Sequence, residues 1–168
     1  MMRQDLVFSF LKIRTILKER PMFYSPNRHA LRQKFFDAYN KFNDKKPLES
    51  VETIILSVIQ AHPEYAEIFS KQAYYLSKDY SVEMGESNPF LHMSSHIGLH
   101  EQLSTNRPKG ITAVYQSLIK AAKLSVHDVE HVMMEIMMEM LWQAQRNNTQ
   151  PDDKLYLKKL KKLLKKHA

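Results

Sequence analysis

Two short stretches of the chain carry side chains that could do chemistry. In residues 89–104 histidines stand at positions 92, 96 and 100, each one helical turn beyond the last. On a helix these three drift only about 80° in total, so they share a face with Met93, Leu99 and Leu103. Further along, His127-Asp128-Val129-Glu130-His131 sets two imidazoles and a carboxylate at i, i+3 and i+4, on the side that also carries Met133, Met134, Met137 and Met138. A carboxylate or an imidazole on an apolar face must be paired, protonated or coordinating, because burying it alone is costly. Two facing helices could therefore join His92, His96, His127 and His131 round one transition-metal ion. Glu130 would be a fifth ligand or an orienting partner, and His100 a secondary candidate.

The donor set limits which metal is meant. The chain has no Cys, so thiolate zinc sites, iron–sulfur clusters, disulfides and cysteine nucleophiles are excluded. Nitrogen and oxygen donors suit Zn and Fe foremost, with Mn, Ni and Cu behind them. A competing reading keeps the same residues without metal, as a buried His–Glu hydrogen-bond network inside a non-catalytic interaction module. The string His127-x-x-Glu130-His131 also matches the inverted zinc-protease pattern. A five-residue match arises easily in a chain with 8 His, and a peptidase needs an edge strand that no segment here supplies. Whether the protein is an enzyme stays open at this stage, with no catalytic residue assigned.

Helices must position these groups. Apolar residues recur at helical spacing almost throughout, and no segment alternates cleanly. Prolines punctuate the pattern: Ser25-Pro26 opens a helix with Leu31, Phe35, Ala38, Tyr39 and Phe42 on one face, ending near Asn43. A second follows Pro47 over Val51–Ile59, and His62-Pro63 restarts the chain through Tyr65, Ile68, Phe69, Ala73 and Leu76. Asn88-Pro89 caps the histidine helix; Arg107-Pro108-Lys109-Gly110 is a turn before a helix over 111–123. Ser125 with Asp128 forms a capping box for the longest helix, to about Arg146. The sum is an all-α, single-domain helical bundle of about six to eight helices. Its divisions are an extension over residues 1–21, a helical domain over 22–153 and a basic amphipathic helix over 154–168.

The charge sits almost wholly in that last helix. The chain has 168 residues and a formal charge of +7, but seven lysines fall between Lys154 and Lys166 with no acid among them. The remaining 18 basic residues balance 18 acidic ones, so specific nucleic-acid binding by the domain as a whole is disfavoured. The lysine helix could meet an acidic partner, although docking its apolar half on the domain is the commoner use of such a pattern. No run approaches a transmembrane span, and the first residues lack the marks of a secretory signal, so a cytoplasmic protein is expected. The methionines at 133, 134, 137, 138 and 140 read as adaptable core filler, and Trp142 as a wall beside His131.

The run Asn88-Pro89-Phe90-Leu91-His92, followed by His96, Glu101-Gln102 and Arg107-Pro108-x-Gly110-Ile111, resembles a bacterial protein family known as domain of unknown function 1841. Further matches are Met22-Phe23 with Pro26-x-Arg28, then His62-Pro63-Glu64-Tyr65, His127-x-x-Glu130-His131 and Leu141-Trp142-x-Ala144-Gln145-Arg146. The resemblance covers about residues 22–165 and implies a compact α-helical protein, without supplying a mechanism. It implies that His92, His96, His127, Glu130 and His131 belong to a family pattern, that His100 is particular to this chain, and that members begin near Met22.

Overall fold

In a computed structural model the described residues are 28–80, 87–121 and 124–167, and they are helical with no strand among them. The all-α expectation holds. The extension over residues 1–21, the Ser25-Pro26 cap and the loop at Gly85 lie outside the described residues. The chain divides into two compact units, one ending at Ile97 and one beginning at Gly98.

The first unit contains α1 (Arg28–Asn43), α2 (Ser50–Gln60), a 3-10 turn (Pro63–Tyr65), α3 (Ala66–Ser70) and α4 (Gln72–Ser77). It also takes the N-terminal half of α5 (Pro89–Thr105), which continues into the second unit. Glu49 and Glu52 form a capping box at the head of α2, Glu52 accepting the Glu49 N–H at 2.9 Å. Pro63 cannot donate to the ladder and keeps His62 out of helical geometry, so α2 stops there. The core is aromatic. Phe35 and Phe36 of α1 meet Phe90 of α5 at ring-centroid distances of 5.9 Å each, and Phe36 meets Phe69 at 5.5 Å. Ile55, Val58, Ile59, Ile68, Met93 and Ile97 complete it. Burying each such large side chain contributes roughly 1.5–3 kcal/mol.

Two expectations for this unit are corrected. The buried face of α1 is Arg32, Phe35, Phe36 and Ala38, whereas Phe42 is 46% exposed. The segment after His62-Pro63 is not one helix, because Lys71 (φ −127°) leaves the helical region between α3 and α4. The end of α4 is instead held by Arg32, whose Nη1 donates toward the carbonyls of Tyr75, Leu76 and Lys78 at 3.1, 2.9 and 2.8 Å. Its guanidinium also lies over the rings of Tyr80 and Phe90.

The second unit adds α6 (Ile111–Ala121), α7 (Val126–Arg146) and α8 (Asp153–His167) to the C-terminal half of α5. The turn before α6 needs Gly110 at φ +100°, a conformation that favours glycine, and Asn106 Oδ1 accepts the Gly110 N–H at 3.0 Å. The capping box of α7 forms as its sequence predicts: Asp128 N–H donates to Ser125 Oγ at 3.1 Å, and Ser125 N–H to Asp128 Oδ2 at 3.2 Å. Met133, Met134, Met137 and Met140 are buried with Leu99, Ile111, Leu118, Tyr156 and Leu160, so the methionines are core. The lysine helix α8 docks by its apolar half, as Tyr156 and Leu160 show. No helix among the described residues is long and apolar enough to cross a membrane.

Candidate functional site

In the first unit α5 brings His92 and His96 to one face a single turn apart, and the end of α2 brings His62 against them. The three rings form a tight group, with centroids 4.8 Å apart for His62 and His92, 4.7 Å for His62 and His96, and 5.0 Å for His92 and His96. All three planes are steeply inclined to one another. His62 and His96 are each 1% exposed.

The tautomer of His62 follows from its surroundings. Its Nδ1 lies 2.7 Å from the Val58 carbonyl, which can only accept, so Nδ1 carries the proton. In the neutral ring that leaves the Nε2 lone pair facing His92 Nε2, 3.0 Å away. A donated Nδ1–H with Nε2 presented outward is the arrangement in which a backbone carbonyl orients a metal-bound imidazole. Two nitrogens bonded to one tetrahedral ion at about 2.0 Å stand about 3.3 Å apart, close to the separation here. Tyr65 stacks on His62 with rings 5.5 Å apart and meets His92 edge-on at 6.0 Å. Burial pushes its phenol upward from the ordinary tyrosine range.

His62 was not among the candidates drawn from helical spacing. It stands before a proline at a helix end, so no periodic pattern marks it. The signal was present all the same in the run His62-Pro63-Glu64-Tyr65. Over the first turns of α5 Ser94 and Ser95 are buried along with Met93, His96 and Ile97.

In the second unit α7 supplies the pair His127 and His131, ring centroids 4.2 Å apart with ligand-capable atoms within 4.8 Å. Glu130 sits in a different arrangement. Its Oε1 accepts the Tyr115 hydroxyl of α6 at 3.1 Å and lies 3.1 Å from His100 Nε2 of α5. Glu130 is 9% exposed, so these contacts replace the water a carboxylate would otherwise hold. Tyr115 is pushed up to about 12, first by burial, then by the Glu130 charge and the hydrogen bond between them. His100, secondary in the sequence, is thus a direct partner of the buried acid. Trp142 carries the Arg146 guanidinium 5.3 Å from its ring.

Fold and side chains together define an all-α protein with histidine clusters and a buried His–Glu–Tyr network, free of thiols. The chain belongs to the family described as Domain of unknown function (DUF1841), whose model matches residues 27–162. Comparison with curated proteins and with solved structures finds no match.

Proposed function

We propose that this protein binds a transition-metal ion, Zn or Fe foremost, through imidazole nitrogens, with His62, His92 and His96 furnishing three donors within the first unit. The observation that carries the reading is the convergence of the three rings, with the His62 Nδ1 proton committed to the Val58 carbonyl and its Nε2 3.0 Å from that of His92. Three nitrogens and no thiolate leave room for a further ligand, the usual requirement for a metal that acts as a Lewis acid. His127 and His131 repeat the one-turn spacing in the second unit and form a further donor pair. Glu130 enters the proposal as an orienting acid for His100 and Tyr115.

The test is elemental analysis of tag-free protein, repeated for His62→Gln combined with His96→Gln. Stoichiometric Zn or Fe in the wild type and its loss in the double variant is the expected result. A wild type that carries no metal and gains no thermal stability from added Zn or Fe would overturn it. That outcome would favour the second reading, a metal-free interaction module. In it His92 Nε2 donates to His62 Nε2 and the Tyr115–Glu130–His100 network is purely structural, as the 3.0 and 3.1 Å contacts permit.

A further inference from the structure

The lysines of α8 are not spread at random round the helix. Lys154, Lys158, Lys161 and Lys165 fall at i, i+4, i+7 and i+11, within about 60° of one another on a helical projection. All four are exposed, and none forms an ion pair among the described residues. The apolar half of α8 is already used: Tyr156 and Leu160 are buried, and Leu155, Leu157, Leu163 and Leu164 pack against the core of the second unit. Lys159, off this line, pairs with Glu139 at 2.5 Å. Like charges one turn apart repel, and no acid in the line offsets them, so the fold gains nothing from this row.

From this row we infer a binding surface: Lys154, Lys158, Lys161 and Lys165 form a straight cationic rail that takes the phosphate backbone of nucleic acid without reading its sequence. Eleven residues of helix extend about 16 Å, the axial length of roughly five phosphates on one strand of a duplex. Lysine acts on phosphate as a point charge, whereas planar carboxylates are better matched by the bidentate fork of Arg, which the rail lacks. An anionic membrane is the poorer fit, since a helix that lies in a bilayer surface needs its apolar half free to insert. The rail holds no Arg, Asn or Gln to read base edges, so binding should ignore sequence.

The test is fluorescence anisotropy of the full chain with labelled duplexes of mixed sequence over a salt series. Four phosphate contacts predict a logarithmic salt slope of about −3.6, a loss of about 150-fold in affinity between 50 and 200 mM salt. Lys158→Gln, Lys161→Gln and Lys165→Gln together should flatten the slope to about −0.9 and melt no lower than the wild type, because repulsion is relieved. The inference is overturned by any of four results. These are no duplex binding at 50 mM salt, an unchanged slope in the triple variant, a lower melting temperature in that variant, or phosphatidylserine vesicles bound through the same lysines when duplex is not. The wild-type slope stands alone as a test should the variant fail to fold. Metal content plays no part in it, so it succeeds or fails independently of the histidines.

Discussion

His62 and His92 lie 30 residues apart in the chain, yet their Nε2 atoms face each other at 3.0 Å while the other nitrogen of His62 is tied to the Val58 carbonyl of α2. Each contact constrains the next. The Val58 carbonyl sets the proton on His62, and the bare Nε2 must then meet either a donor or a cation. His62→Ala removes a ring that is 1% exposed and should cost about 2–4 kcal/mol in urea unfolding, by cavity formation and loss of the buried contact. His62→Phe keeps most of the volume, so it should recover part of that stability and none of the proposed metal binding.

Metal should stabilise the wild type by mass action. A free ion held at a hundred times its dissociation constant adds about 2.7 kcal/mol to folding. The expected result is a rise in melting temperature on adding Zn or Fe, reversed by a chelator and absent in His62→Gln with His96→Gln. An equal rise in that variant would place the ion elsewhere.

Arg32 is 4% exposed and binds the carbonyls that end α4. Arg32→Met keeps the stem and deletes the donors, leaving three acceptors to find water; the expected loss is about 2–4 kcal/mol by chemical denaturation. Arg32→Lys should rescue little, because an ammonium lacks the planar group that lies over Tyr80 and Phe90.

In the second unit the network centred on Glu130 gives an order of effects. Glu130→Ala removes both the Tyr115 and the His100 contact at once and should be worst. Tyr115→Phe strips one hydrogen bond from a buried carboxylate and should cost about 1–3 kcal/mol. His100, whose side chain is 31% exposed, can exchange Glu130 for water, so His100→Ala should cost least. Thermal melts of the three variants decide the order, and a largest effect at His100 would contradict it.

Acid stability should report on Glu52. The Lys41 ammonium, and then the Glu49 N–H, hold its carboxyl below the usual carboxylate range. A depressed folded pKa contributes stability that is present above the unfolded value of about 4.3 and lost as pH falls through the folded one. Lys41 mirrors this: the hydrogen bond to Glu52 raises its pKa, and its contribution is lost only as pH rises through that raised value. Glu52→Gln should lower the melting temperature at neutral pH and flatten its fall below about pH 4.5. An unchanged slope would show that the pair contributes nothing in solution.

Much of the molecule was legible in its residues because the signals are local. Capping at Asn88 and Ser125, the glycine turn at Gly110, the long helix over 126–146 and the split of α8 into apolar and lysine halves each depend on residues within a few positions of one another. The same locality placed His92 with His96, and His127 with His131, one turn apart. Contacts between distant segments have no such signature. That His62 joins His92, that His100 and Tyr115 share Glu130, and that Arg32 caps a helix more than 40 residues away arise only when folded elements pack. Periodicity marks the face of a helix, but which neighbour meets that face depends on how side chains fill the space between elements, and that is not written at any fixed spacing.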